Sequence, residues 1–298
     1  MLLGYVPADC LESGSEVSIL PEENSFSPEE VQRLRDSLLS LSEDDSLRVD
    51  LLRTLLGETA CRRLSIFQLP TDFVLSVVIP IFNEVDTLAK VVQAVRESGV
   101  CCEIILVDDG STDGTRELLE SWQDAEDLKI LMHDKNQGKG AALKTGFEQA
   151  TGDAVIVQDA DLEYTPQDFL TLLQPIVEDG ADVVYGSRFI AGMRNVPRLR
   201  HYIVNKTVTW WSNLFTNFLL TDMETCYKVF RRDVIQKISP TLQEKRFGIE
   251  PEITAKLSRI KGIKLREVPI RYYPRSYDEG KKIGWRDGVR ALWCAMRY

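Results

Sequence analysis

Acidic side chains of this 298-residue chain gather in short clusters that follow runs of apolar residues. The segment from Asp108 to Gly114 follows one run, and Asp159 and Asp161 follow another. Alternate residues of an extended segment point to the same side, so Asp159 and Asp161 could hold one hard divalent cation through oxygen ligands. Such an ion, Mg²⁺ or Mn²⁺, is commonly shared with substrate phosphates. These clusters therefore indicate a site for a nucleotide diphosphate.

The glycine-rich segment from Asn136 to Ala142 is a second candidate for phosphate contact. It begins a helical pattern, so its backbone amides and the ammonium group of Lys139 could face negative charge. It lacks both the Walker pattern and the spaced glycines of a dinucleotide fingerprint. Each acidic cluster, taken alone, could also be an ordinary turn or helix cap. The coincidence of several such segments is what favours a functional site.

Strands alternate with amphipathic helices from Phe73 onward. This pattern predicts an α/β fold with a mostly parallel sheet that is covered by helices on both faces. The predicted strands span residues 74–79, 103–107, 128–132, 154–158 and 182–186. Ligands of such sheets bind beyond the carboxyl ends of the strands. Because Asn83-Glu84 and the two acidic clusters lie at those ends, we expect them to converge on one crevice.

Charge is distributed unevenly and predicts two regions. Residues 1–72 hold 14 acids and 6 bases, and we interpret them as an acidic, partly disordered helical extension with helices beginning near Ser27 and Ser46. Residues 73–298 form the predicted catalytic domain. Its last part, residues 264–298, holds 9 bases and 4 acids.

Composition also excludes several classes of protein. The net charge of −10 argues against nucleic acid as a partner. Six scattered cysteines without a C-x-x-C pair indicate neither a disulfide framework nor a zinc site. Residues 1–7 lack the basic region of a signal peptide, so we expect a cytoplasmic protein. The apolar stretches 73–82 and 208–220 are too short or too interrupted to span a bilayer, which leaves peripheral contact with a membrane.

Several motifs in order resemble a known family. They are VVIPIFNE, VDDGSTDGT, NQGKGAALKTGF, DADLEY, GSR, TDMETCYKVFRRD, FGIEPEI and EVPIRYYPRSYDEGKKIGWRDG. Together they resemble the family 2 glycosyltransferases of GT-A fold, and within them the dolichol-phosphate mannose synthase-like group, over residues 73 to about 290. The resemblance implies an inverting, metal-dependent transfer of a hexose from GDP-mannose or UDP-glucose. The implied acceptor is a polyprenyl phosphate, dolichyl or undecaprenyl.

The resemblance also implies roles for individual residues. It assigns the nucleotide pocket to Pro80, Phe82, Glu84, Asp109, Lys139 and Asp159, with Asp109 at the base. It assigns the metal to Asp159, Asp161 and Glu163, the last at a position where these synthases often have glutamine. It assigns the acceptor phosphate to Arg188, Arg198, Arg200 and Asn205. Arg275 matches a basic residue on a loop that covers the nucleotide, and Asp161, Arg188 and Arg275 are the implied catalytic residues.

The chemistry of the acceptor leaves alternatives open. A phosphate oxygen is already anionic at neutral pH and needs no general base, whereas a sugar hydroxyl needs a carboxylate such as Asp222 or Glu224. Arginines clustered from Arg188 to Arg200 favour the phosphate. A third hypothesis is a non-catalytic nucleotide-sugar-binding module with a helical interaction head. The intact metal motif argues against that hypothesis.

The basic C-terminal segment, about residues 276–298, predicts contact with a membrane. Its lysines and arginines alternate with Trp285, Trp293 and Met296, a composition that fits a helix lying at the cytoplasmic face of a bilayer. The alternative is a terminal helix that packs on the catalytic domain. A membrane-protein partner is a further expectation.

Overall fold

The computed structural model describes residues 45–190, 199–274 and 285–298. The chain divides into two compact units, Met1–Ala60 and Cys61–Tyr298. Residues 61–72, which the sequence assigned to the extension, thus fall in the second unit, where Phe67 is buried in the apolar core.

The predicted helix near Ser46 is observed as α1 (Asp45–Leu56). It ends where the Gly57 amide donates to the carbonyl of Arg53 at 2.9 Å, with Gly57 in the left-handed region at a φ of 76°. The helix predicted near Ser27 lies outside the described residues.

Seven strands of the second unit form one sheet in the order β3-β2-β1-β4-β6-β5-β7. The strands are β1 (Leu75–Ile81), β2 (Cys102–Asp108), β3 (Leu128–Met132), β4 (Ala154–Val157), β5 (Val183–Ser187), β6 (Lys228–Arg231) and β7 (Leu265–Pro269). Strand β6 is antiparallel to both of its neighbours, and the other pairs are parallel. The predicted α/β fold is confirmed.

The five predicted strands correspond to β1–β5, with small shifts at their ends. Strands β6 and β7 were not predicted. β6 has only four residues and lies within a motif that was read for its chemistry, and β7 alternates between partly buried and exposed positions. Neither strand therefore presents the long apolar run that marks a buried parallel strand.

After α1 the helices are α2 (Glu58–Arg63), α3 (Leu88–Arg96), α4 (Thr115–Glu120), α5 (Lys139–Gln149), α6 (Phe169–Glu178), α7 (Leu199–Thr216), α8 (Arg232–Ile238), α9 (Ile249–Ser258) and α10 (Trp285–Arg297). Several helices of the second unit pack against the sheet and against one another. Short 3₁₀ turns span Pro166–Asp168 and Ser239–Thr241. None of the helices in the described ranges combines the length and hydropathy needed to cross a bilayer.

The C-terminal helix α10 packs on the domain. Ala291, Cys294 and Ala295 are at most 3% exposed, and the Trp211 indole of α7 donates to the carbonyl of Leu292 at 3.0 Å. These residues therefore pack on the domain, as in the alternative, whereas Met296 is 54% exposed. Contact of the C-terminal segment with a membrane stays a prediction. The remainder of the predicted segment, residues 276–284, lies outside the described residues.

Gly146 allows α5 to approach β1 closely, because an added Cβ would lie 2.3 Å from a methyl group of Val78. We expect Gly146→Ala to lower the free energy of unfolding by about 2 kcal/mol through overpacking. Gly288, in α10, has no neighbour within 4 Å of such a Cβ, so Gly288→Ala should stabilise by up to about 1 kcal/mol. Urea denaturation of the two variants measures both effects, and equal midpoints would contradict the packing argument.

Candidate active site

The loops after β1 and β2 are joined by hydrogen bonds at the carboxyl edge of the sheet. The Asn83 amide donates to Ser111 Oγ at 2.9 Å, and the Thr112 amide donates to Asn83 Oδ1 at 2.8 Å. Asn83 adopts a left-handed φ of 55°, which asparagine tolerates better than most residues. The predicted convergence of these two loops is therefore observed.

The β1 loop also reaches the predicted metal motif. Thr87 Oγ1 lies 2.7 Å from the carbonyl of Ala160, to which it donates, and 2.9 Å from Glu84 Oε2. Pro80 is partly buried within β1, and Phe82 follows the strand directly. These residues lie where the sequence predicted the nucleotide pocket, and their contact with a nucleotide stays a prediction.

Asp109 holds the glycine-rich segment in place. Its carboxylate accepts from the amides of Gln137 at 2.9 Å and Gly138 at 2.6 Å, and His133 Nδ1 lies 2.8 Å from Oδ1. Gly138 has a φ of 104°, and a Cβ there would lie 2.3 Å from the carbonyl oxygen of Lys245. The Asp109 side chain is 3% exposed, and its contact with a nucleotide base stays a prediction.

Buried hydrogen bonds position the backbone of Asp159. Tyr227 donates its hydroxyl to Gln158 Oε1 at 2.6 Å, and Gln158 Nε2 donates to the Asp159 carbonyl at 2.9 Å. Asp161 Oδ1 accepts from the Glu163 amide at 3.1 Å. The two aspartates thus stand at the end of β4 as predicted.

Glu163 is tied to the segment that leads toward Arg275. Glu163 Oε2 accepts from the Tyr272 hydroxyl at 3.0 Å, and the Tyr273 amide donates to the Glu163 carbonyl at 2.9 Å. Arg275 itself lies outside the described residues. The predicted metal motif and the strand β7 segment are therefore neighbours.

The predicted metal ligands are Asp159, Asp161 and Glu163. In the described ranges, no three acidic, cysteine or histidine side chains are close enough to form a ligand cluster, so the three residues are not grouped around one position. Mg²⁺ is usually bound by one or two carboxylates together with substrate phosphates, so Asp159 and Asp161 fit an ion that arrives with its nucleotide.

A chain of alternating charges extends from the partly buried Asp159 and Lys139 to the buried Glu250 and Lys228. Lys139 Nζ lies 2.7 Å from Asp159 Oδ1 and 3.8 Å from Glu250 Oε1, and Lys228 Nζ donates to Glu250 Oε2. Burial alone would lower the pKa of Lys139, but the Asp159 carboxylate and its neighbours hold that pKa well above its usual value. Lys139 is therefore a fixed cation beside the predicted phosphate site.

Arg188 and Asp222 form a second buried pair. The guanidinium Nε and one terminal nitrogen donate to the two Asp222 oxygens at 2.7 Å each, and the Arg188 amide donates to Oδ2 at 3.0 Å. The Arg188 guanidinium also lies over the Tyr272 ring. Burial would raise the pKa of Asp222, but Arg188 lowers it below its usual range. Asp222 is poorly suited to act as the predicted general base, because its pKa is lowered and both of its oxygens accept hydrogen bonds from Arg188.

Only part of the predicted acceptor cluster can be placed. Asn205 Nδ2 donates to Asp222 Oδ1 at 3.3 Å, so Asn205 and Arg188 meet at one carboxylate. Arg198 lies outside the described residues, and Arg200 begins α7 without a described side chain. The structure thus brings together Arg188 and Asn205.

Sequence reasoning missed three basic or acidic residues of the site: Lys206, Lys228 and Glu250. Lys206 Nζ donates to the carbonyl of Thr221 at 2.8 Å and lies over the Phe189 ring. Glu250 and Lys228 lie inside the quoted motifs FGIEPEI and TDMETCYKVFRRD. Lys228 stands in the apolar run from Cys226 to Phe230, and Glu250 follows Ile249, so charged residues among apolar neighbours are the signal that could have identified them.

Glu224 lies near both charge networks. Its Oε1 atom is buried and has no hydrogen-bond partner in the described part of the chain. Burial, followed by the nearby Glu250 carboxylate, raises the pKa of Glu224 from 4.5 to about 7, although Lys228 and Arg188 oppose the shift. Of the two predicted candidates for a general base, Glu224 has the more suitable environment.

The acidic loops and the glycine-rich start of α5 lie at the carboxyl edge of the sheet, as expected for a nucleotide-sugar transferase of GT-A fold. The family model of glycosyl transferase family 2 matches residues 76–239, more than half of the chain. The chain therefore belongs to glycosyl transferase family 2 and is a glycosyltransferase, which confirms the resemblance seen in its motifs.

Similar proteins include enzymes named for polyprenyl acceptors. The polyprenol monophosphomannose synthase of Mycolicibacterium smegmatis is 31% identical over 216 residues, covering 70% of this chain and 80% of the relative. The undecaprenyl-phosphate mannosyltransferase of Micrococcus luteus is 29% identical over 245 residues, covering 74% of this chain and 96% of the relative.

Solved structures show the same fold. Glucosyl-3-phosphoglycerate synthase from Mycobacterium tuberculosis, in complex with Mn²⁺, UDP-glucose and phosphoglyceric acid, superposes with a TM-score of 0.56 at 18% identity. The match covers 75% of this chain and 80% of that one.

The environment of Glu224 predicts a pH-dependent effect on stability. Its pKa of about 7 in the folded protein exceeds 4.5, so ionisation favours the unfolded chain as pH rises through this window. The contribution of Glu224 to the stability of the fold is thus fully present below pH 4.5 and is lost as the pH rises to about 7. The free energy of unfolding of Glu224→Gln, relative to that of the wild type, should therefore be roughly 2 kcal/mol higher at about pH 8 than at about pH 5.

Urea denaturation at both pH values measures this gain. The exposed Glu148→Gln, which makes the same change of charge, is the matched control and should show no such gain. A Glu224→Gln gain that is independent of pH would contradict the assigned environment.

Proposed function

We propose that this glycosyltransferase transfers a hexose, with inversion and with Mg²⁺ or Mn²⁺, from GDP-mannose or UDP-glucose to a polyprenyl phosphate. The two relatives named above support the acceptor class, because both are named for polyprenyl substrates. The reaction takes place at a membrane surface, where a polyprenyl chain resides.

The main support for this proposal is helix α7, which combines polar contacts with exposed apolar side chains. Asn205 and Lys206 donate to the loop at Thr221 and Asp222, beside Arg188. The same helix also exposes large apolar side chains to solvent. They are Leu199 (70% exposed), Ile203 (52%), Val204 (56%), Trp210 (63%) and Leu214 (61%). A predicted phosphate site thus adjoins an apolar surface suited to lipid.

Arg188 has the capacity to bind the acceptor phosphate. Asp222 accepts from two of the five guanidinium N–H groups and fixes the plane of the side chain. The remaining N–H groups can pair with phosphate oxygens, a geometry for which arginine is well suited. The buried aspartate therefore orients the cation before the acceptor arrives.

On the donor side, Asp159 and Asp161 would hold the divalent ion with the pyrophosphate. When bound, that ion would stabilise the negative charge that develops on the leaving nucleotide diphosphate. Lys139 adds a fixed positive charge beside Asp159, and Asp109 keeps the glycine-rich segment against the nucleotide pocket. The acceptor oxygen attacks as an anion, so no protein group needs to remove a proton.

A second candidate function is transfer to a hydroxyl acceptor, with Glu224 as general base. The observation that favours it is the raised pKa of Glu224 together with its unpartnered Oε1. A base with a pKa near the working pH is effective in proton abstraction. The identity of the product distinguishes the two candidates.

The decisive experiment incubates the purified full chain with radiolabelled GDP-mannose or UDP-glucose and a polyprenyl phosphate. We expect labelled lipid that requires Mg²⁺ or Mn²⁺. Asp161→Ala should lose several kcal/mol of transition-state stabilisation, and thus at least about a thousandfold in rate. The exposed Asp124→Ala is the matched control and should retain the wild-type rate.

Near-normal turnover by Asp161→Ala would contradict the role of Asp161. Label that appears only on a hydroxyl acceptor, together with an inactive Glu224→Gln, would support the second candidate instead.

Membrane binding by α7 is testable by sedimentation with phosphatidylcholine and phosphatidylglycerol vesicles. Each large apolar side chain that leaves water contributes about 2 kcal/mol, so the double variant Trp210→Glu with Leu214→Glu should bind at least about tenfold more weakly. Met296→Glu, at a 54% exposed position of α10, is the control and should bind as the wild type does. If the double variant and Met296→Glu lost vesicle binding equally, the assignment of the membrane-binding surface to α7 would be wrong.

A further inference from the structure

Glu224 lies near two networks of charged side chains. Arg188 and Asp222 of one network, and Lys228 and Glu250 of the other, both act on its carboxylate. Under the proposed function, Arg188 receives the acceptor phosphate and the chain from Glu250 to Asp159 adjoins the donor. The transferred sugar must therefore lie near Glu224.

The unpartnered oxygen of Glu224 is unusual. Most buried side-chain polar atoms have a hydrogen-bond partner, because removing such an atom from water without one is unfavourable. The two neighbouring carboxylates already have cations, since Arg188 pairs with Asp222 and Lys228 with Glu250. Among the described residues, Glu224 Oε1 is thus a buried polar atom without a hydrogen-bond partner.

The surrounding charges restrict what can satisfy this oxygen. An anionic ligand group would meet the carboxylates of Glu224, Glu250 and Asp222 together and be repelled. A cationic group would compete with Lys228 and Arg188. A neutral hydroxyl group meets neither objection, because it can donate to a carboxylate and accept from a carboxylic acid.

We propose that Glu224 Oε1 binds a hydroxyl group of the hexose that is transferred, and thereby positions the sugar and helps to select it. This inference rests on the proposed function for the identity of the donor, and it assigns Glu224 to the sugar rather than to the acceptor proton. A site built to hydrogen-bond a hydroxyl group discriminates strongly against sugars that lack it in that position.

Equilibrium binding tests this assignment without any acceptor. Isothermal titration calorimetry with GDP, GDP-mannose, UDP and UDP-glucose, in buffer with Mn²⁺, gives the additional affinity that the hexose contributes. For the donor that the wild type binds more tightly, Glu224→Ala should weaken binding of the nucleotide sugar by about tenfold to 100-fold. Binding of the corresponding nucleoside diphosphate should change by less than about twofold.

Two further variants separate a specific contact from a general disturbance. Glu224→Gln keeps a carbonyl oxygen that can accept from the hydroxyl, so it should recover most of the sugar-dependent affinity. The exposed Glu148→Gln should bind both ligands as the wild type does. Equal weakening of both ligands in Glu224→Ala, or a hexose that adds no affinity in the wild type, would overturn the proposal.

The outcome is independent of the acceptor. If the wild type makes no labelled lipid while Glu224→Ala still loses affinity only for the nucleotide sugar, the acceptor assignment fails and the sugar contact stands. If labelled lipid forms and Glu224→Ala binds the nucleotide sugar normally, the sugar contact fails alone.

Discussion

The ion pair between Lys139 and Asp159 joins parts of the chain that are distant in sequence. Lys139 begins α5, Asp159 follows β4, and Glu250, on α9, approaches the same ammonium group. Through Glu250 the contact continues to Lys228 at the start of β6. Several carboxylates can remain close together at this edge because buried lysines alternate with them. The geometry of the whole site depends on that alternation.

Charge balance also explains why Glu224 differs from its neighbours. Asp222 has Arg188 and Glu250 has Lys228, whereas no cation is committed to Glu224 by a hydrogen bond in the described residues. The two carboxylates two residues apart consequently shift in opposite directions, with the pKa of Asp222 lowered and that of Glu224 raised. The sequence presents both as equivalent candidates, and only the folded chain separates them.

Strands β1–β5 and the convergence of the acidic loops could be predicted, because long apolar runs and the carboxyl-edge rule are local or topological features. The short antiparallel strand β6 could not, since its place between β4 and β5 depends on contacts distant in sequence. Composition alone also could not predict which of α7 and α10 is covered by the rest of the protein. Both helices mix aromatic and basic residues, but tertiary packing covers Ala291 and Cys294 of α10 and leaves Trp210 of α7 exposed.

The antiparallel direction of β6 has a consequence for how such enzymes diversify. Because β6 runs opposite to its neighbours, Lys228 at its start pairs with Tyr185 near the end of β5. The connection from Arg188 to Tyr227 therefore leaves the sheet and returns to it at the same edge. Helix α7 lies within that connection, so its length and surface can change by insertion or exchange without altering the register of any strand. The fold thus allows the helix proposed to meet the acceptor to vary while the strands keep their register.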